Sequence, residues 1–107
     1  MNKNVQAKFR AQADIMKALS HPTRLFIVTE LSKGERCVCK ITEMIGADIS
    51  TVSKHLLLLK NTGIIADEKR GQKVFYKLKI PCALNFLTCV GKILKARSKT
   101  NFKLAGA

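Results

Sequence analysis

Four cysteines, Cys37, Cys39, Cys82 and Cys89, are the residues of this chain with the most specific chemistry. Thiolates bind soft metal ions and metalloids, and paired thiols exchange electrons as disulfides. Cys37 and Cys39 stand two apart. In a regular helix their side chains would point about 200° from each other and could not close on one ion, whereas alternate residues of extended backbone face the same side. The pair therefore belongs at a loop-to-helix junction, which Gly34-Glu35-Arg36 supplies. There the positive end of the helix dipole, Arg36 and Lys40 all favour thiolate. The competing reading makes both cysteines small buried hydrophobes. Cys82 and Cys89 are seven apart, on one face of a helix but separated by about 10 Å along its axis. That is too far for neighbours on one ion with thiolates about 2.3 Å from it. Each needs partners elsewhere. Cys82 follows Pro81 at a helix start, and Cys89 lies beside an apolar stripe with Phe86 and Ile93, where it reads either as a ligand or as core. The polar start Met1-Asn2-Lys3-Asn4 has no signal-peptide core behind it, so a cytoplasmic chain with reduced thiols is expected.

The elements that must position these thiols follow from apolar spacing and punctuation. Val5, Phe9, Ala13, Met16 and Leu19 recur at intervals of three to four, which predicts a helix over 4–19. Pro22 suits the first turn of a second helix, 22–33, ending before Gly34. A short helix over 38–46 ends at Gly46, and another over 49–62 ends at Gly63. Two short helices separated by about three residues make a helix-turn-helix. Ile49, Val52, Leu56 and Leu59 share the inner face of the second, and Ser50, Thr51, Ser53, Lys54 and His55 form its polar face. Next come Ile64-Ile65, a charged tip over 67–73 and an alternating strand over 74–80, which together predict a basic hairpin. A last helix runs from Pro81 to Arg97. Residues 98–107 read as a frayed tail, so 1–97 are expected to form one domain. The fold class expected is mainly α with a small β-hairpin: a winged helix-turn-helix of about five helices and a two-stranded wing.

Charge gives the partner class. Twenty Lys and Arg against seven Asp and Glu leave the chain at +13, and a dimer would carry twice that. Such a balance attracts polyanions, nucleic acid foremost, with anionic lipid or a merely soluble basic surface as alternatives. No apolar run approaches the roughly 18–20 residues of a membrane-spanning helix. Ser50, Thr51, Ser53, Lys54 and His55 are the candidate groove-facing residues, Lys54 and His55 above all. Lys69, Arg70 and Lys73 at the wing tip are the candidate phosphate or minor-groove contacts. His21 reads as structural, fixing the start of the second helix. No Ser-His-Asp or paired-carboxylate arrangement presents itself, so an enzyme is not expected.

Three segments carry a resemblance: Lys17-Ala18-Leu19-Ser20-His21-Pro22-Thr23-Arg24-Leu25, Glu35-Arg36-Cys37-Val38-Cys39-Lys40-Ile41, and Ile49-Ser50-Thr51-Val52-Ser53-Lys54-His55-Leu56, followed by Val74-Phe75-Tyr76-Lys77-Leu78. In this order they resemble the arsenic-repressor (ArsR/SmtB) family of winged-helix metalloregulators over most of residues 13–80. The resemblance implies a homodimer, built on the first and last helices, that occupies double-stranded operator DNA and leaves it when an inducer binds at the Cys-Val-Cys segment. The chain departs from its relatives in places. Thr42 stands where arsenic sensors of the family often have a third cysteine, so a trigonal sulfur site needs Cys82 or Cys89, from this or the partner subunit. The N-terminal arm lacks the cysteine of the cadmium and lead branch. Pro81–Lys95 contain neither the Asp nor the His of the zinc, cobalt and nickel branch. All-thiolate chemistry favours arsenite, antimonite or a soft metal ion as inducer, with a thiol-redox or persulfide switch as the rival and a plain architectural DNA binder third.

Overall fold

Helix starts in this chain are set by side chains that accept otherwise orphaned amide protons. In the computed structural model, which describes residues 1–100, Asn2 caps α1 (Lys3–Ala18) by accepting from the Val5 N–H at 2.9 Å. His21 caps α2 (Pro22–Ser32) through Nδ1, which accepts from the Thr23 N–H at 3.1 Å, so the structural role expected of His21 holds. Cys37 caps α3 (Val38–Ile45) and Asp48 caps α4 (Ile49–Thr62). The turn between α3 and α4 depends on Gly46, whose φ of 77° lies in the left-handed region that favours glycine. The last helix, α5 (Ala83–Thr100), differs at both ends from the expected span. Amides of Ala83 and Leu84 bond three residues back, to Ile80 and Pro81, so Pro81 and Cys82 form a turn ahead of the helix. At the far end the helix continues past Arg97 to Thr100. The remainder of the expected tail, 101–107, lies outside the described residues.

Three strands accompany the helices: β1 (Arg36–Cys37), β2 (Ile65–Arg70) and β3 (Lys73–Leu78), in the antiparallel order β1-β3-β2. The expected two-stranded wing is therefore a hairpin within a three-stranded sheet. Its turn is also tighter than the charged run suggested. Asp67 to Arg70 pair with Tyr76 to Lys73, leaving only Gly71 and Gln72 to reverse the chain. Gly71, with φ of 64°, takes the first central position, where a two-residue hairpin turn needs positive φ.

The core forms where α2, α3, α4 and the start of β2 converge. Ile27, Val28, Val52, Leu56, Leu59, Ile64 and Ile65 are each at most 1% exposed. α1 adds only Ala18 to this core, and α5 adds Ala83 with Leu87 half-buried against it. The apolar stripes of both helices face outward, with Phe9, Met16, Phe86 and Ile93 about half exposed. The radius of gyration is 16.0 Å, against about 13 Å for a compact chain of this length. Among the described residues no helix is long and apolar enough to cross a membrane.

Candidate nucleic-acid interface and cysteine junction

The reading face of α4 is presented because Val52, Leu56 and Leu59 turn inward, leaving Ser50, Thr51, Ser53 and Lys54 exposed on the opposite side. Two of these hydroxyls are engaged. Ser50 donates to the Asp48 carboxylate through a short hydrogen bond, and Thr51 Oγ1 donates to its other oxygen at 2.7 Å. These bonds, with the Thr51 amide, hold the Asp48 carboxyl down at about 2. Ser50 and Thr51 thus offer mainly acceptor lone pairs outward, while Ser53 and Lys54 stand free of ion pairs and side-chain bonds.

His55 departs from the expected role. It is half-buried, with its ring centroid 4.6 Å from that of His21 and its Nδ1 3.4 Å from Arg24 Nη1. Burial, then the charges of His21 and Arg24, push its pKa below the usual histidine value. His55 therefore braces α4 against the start of α2. Arg24 completes the brace, since its Nε also donates to the Ala18 carbonyl at the end of α1 at 2.6 Å. No local signal in the sequence marks Arg24 for this, because its partners lie six residues before it and 31 after.

The wing shows a similar division. Lys69 and Lys73, the candidate phosphate contacts, are exposed and make no ion pair. Arg70 is occupied. Its Nη1 and Nη2 donate to both carboxylate oxygens of Glu35, at 2.6 and 2.8 Å, and its Nε donates to Glu68 at 2.5 Å. The guanidinium also lies 4.8 Å above the Phe75 ring. Hydrogen bonding to Arg70 holds the Glu35 carboxyl below its ordinary value, and the two carboxylates raise the Arg70 pKa further. A free wing-tip arginine is thus replaced by an ion-pair cluster in which Nε, Nη1 and Nη2 each donate to a carboxylate of the same chain.

On the edge strand beside β3, Cys37 is both the last residue of β1 and the N-cap of α3. Its backbone is extended, φ −76° and ψ 157°, and its Sγ accepts the Lys40 N–H at 3.3 Å. Cys39 follows in the first turn of α3. The junction brings the two side chains together as the spacing argument requires, and they are joined by a disulfide across Cα atoms 5.4 Å apart. The pair expected to be reduced is thus placed where it can also close as a disulfide. The reading of both as buried hydrophobes fails, since Cys39 is exposed and Cys37 only half-buried. Cys82, in the turn before α5, and Cys89, within it, are free and exposed, so Cys89 is not core in this chain. Among the described residues no group of three or more His, Cys, Asp and Glu gathers in a metal-holding arrangement. One chain thus brings two sulfurs together at the start of the helix-turn-helix.

The family described as "Bacterial regulatory protein, arsR family" matches residues 21–67, from the His21 cap into the first strand of the wing. The chain is 46% identical over 67 residues to a cadmium resistance transcriptional regulatory protein CadC homolog of Staphylococcus aureus, covering 62% of this chain and 55% of that protein. It is 38% identical over 71 residues to the arsenical resistance operon repressor of Escherichia coli, 65% of this chain and 61% of that one. With the biofilm growth-associated repressor of Xylella fastidiosa it shares 32% identity over 87 residues, 81% of this chain and 76% of the relative. The chain spans little more than half the length of the first two. Among solved structures, NolR from Sinorhizobium fredii superposes with a TM-score of 0.80 over 87% of this chain and 93% of its own, at 22% identity. The transcriptional repressor BigR from Xylella fastidiosa superposes with a TM-score of 0.73 over 87% and 96%, at 29% identity. A winged helix-turn-helix with this order of elements, a family match over residues 21–67 and 32% identity to a repressor covered to 76% of its length make the chain a member of the arsR family of bacterial regulatory proteins.

Proposed function

We propose that the chain is a cytoplasmic repressor that binds double-stranded operator DNA as a homodimer and is released by a thiophilic metalloid or soft metal at Cys37 and Cys39, with arsenite or antimonite favoured. One observation carries the reading: the two sulfurs meet at the N-terminus of α3, the first helix of the helix-turn-helix, so a ligand held there acts on the reading head directly. Names of relatives that refer to cadmium and to arsenical resistance support a thiophilic inducer. The exposed apolar faces of α1 and α5 support a second copy as the partner that covers them. With one copy of α4 per protomer, each reads one half of a two-fold symmetric site.

Arsenous acid, As(OH)3, condenses with two thiols to give a dithioarsenite, with loss of two waters and one As–OH remaining. A third thiol, from Cys82 or Cys89 of either subunit, would displace that hydroxyl as a further water. The chemistry requires free thiols, so the disulfide and the metalloid exclude each other. For this reason a thiol-redox or persulfide switch at the same pair is the second reading, favoured by the Cys37–Cys39 bond itself.

The test is release from an operator selected from random duplexes by the reduced protein. Replacing Cys37 or Cys39 by Ser should leave duplex binding intact and abolish release by arsenite, while Cys82→Ser and Cys89→Ser identify the third donor. Release of a variant lacking both Cys37 and Cys39 at the same arsenite concentration would refute the site. Release of the parent by oxidant, with no response to arsenite, would favour the redox reading.

A further inference from the structure

Arg70 and Glu35 are 35 positions apart in sequence, yet they make the only bidentate ion pair among the described residues. Their placement spans the whole sheet. Glu35 immediately precedes β1, Arg70 ends β2, and β3 runs between those strands. Under the guanidinium lies Phe75, the residue of β3 that pairs with Cys37 of β1 and with Glu68 of β2. Arg70 therefore grips the residue two positions before Cys37, the ring beside Cys37 and its own strand at once. We infer that Glu35 and Arg70 are positioning residues that couple the state of the Cys37/Cys39 pair to the wing. The inference rests on that pair being the sensing centre proposed above.

The physical basis is the shortness of β1. A strand of two residues has little pairing of its own to resist a change at Cys37, whose Sγ also caps α3. Breaking the disulfide, or seating a ligand on the two sulfurs, alters the backbone at Cys37 and carries Arg36 and Glu35 with it. A bidentate carboxylate–guanidinium pair is directional, because both N–H···O bonds need the two planar groups aligned. Displacing Glu35 is therefore felt at Arg70, which adjoins the turn at Gly71 and Gln72 and is flanked by the exposed Lys69 and by Lys73 across the hairpin. With two carboxylates around one guanidinium, Arg70 positions the wing while the lysines supply its free charge. Exposed ion pairs add little to stability, so the signature of this pair is transmission rather than melting temperature.

The test uses the full-length 15N-labelled protein with Cys82 and Cys89 replaced by Ser, so that a reagent acts on one pair. Amide spectra are recorded with the disulfide formed and after reduction by dithiothreitol. In that step the Cys37–Cys39 S–S bond breaks, each sulfur gains one electron and one proton, and the reagent closes its own disulfide. In the parent, amides of Val38–Lys40 and of Lys69–Lys73 should both shift on reduction. In Glu35→Gln and in Arg70→Lys, which keep the residues' size or charge but lose the fork, the shifts over Val38–Lys40 should persist and those over Lys69–Lys73 should vanish. Dispersion of the remaining amides checks that both variants fold. Wing shifts that survive in both variants, or that are absent in the parent, would overturn the linkage. A wing that responds as expected in a protein that arsenite does not release from DNA would sustain the linkage while overturning the proposed inducer.

Discussion

The wing lysines and the wing arginine should behave in opposite ways in DNA binding, and salt dependence separates them. Each phosphate neutralised by a free cation releases counterion and adds about 0.9 to the slope of log K against log salt on duplex DNA. Lys69 and Lys73 are exposed and unpaired, whereas the Arg70 guanidinium already faces Glu35 and Glu68. Replacing both lysines by Ala removes up to four phosphate contacts from a dimer, so the slope should flatten by as much as about 3.6. Arg70→Ala should leave it within about 0.5 of the parent, because no phosphate contact is lost. Fluorescence anisotropy on a labelled duplex between 50 and 300 mM salt, on the order of the range where such slopes are linear, provides the measurement. Non-specific duplex suffices, since the phosphate term does not depend on base sequence. A loss of about 1.8 in slope for Arg70→Ala, the value for two phosphate contacts, would refute the assignment of Arg70 to the internal cluster. An unchanged slope in the double lysine variant would remove the wing from the interface.

Two further outcomes follow from the interior. Leu56 is fully buried between the helices and the sheet, so Leu56→Ala should cost about 2–5 kcal/mol, read as a lower midpoint in urea at fixed protein concentration. A change under about 1 kcal/mol, well below that range, would contradict the packing. The His55 pKa lies below its ordinary 6.5, so the unfolded chain binds more protons than the folded one as pH falls from about 6.5 through the depressed native value. Melting temperature should therefore decline as the solution is acidified through that window, with a shallower decline in His55→Gln; an equal decline in both would show that His55 does not contribute.

Local chemistry was legible in the residues themselves. α4 runs over the span that the apolar spacing and Gly63 delimit, because caps and periodicity act within a few residues of the positions they organise. The cysteine junction was legible for the same reason: two residues of separation admit convergence only where the backbone is extended. Asp48 before Ser50 and Thr51 carried a readable cap signature that the groove-facing assignment passed over. What the tertiary structure decided are the pairings between distant positions. β1 has two residues and no periodicity, and exists because Arg36 and Cys37 meet Tyr76 and Phe75. Arg70 looks like a free wing cation until the fold brings Glu35 to it, and His55 looks like a base contact until Arg24 and His21 draw it inward. Charge type and spacing define what a side chain is able to bind, but whether its donors are still free depends on which remote residue the packed core places beside it.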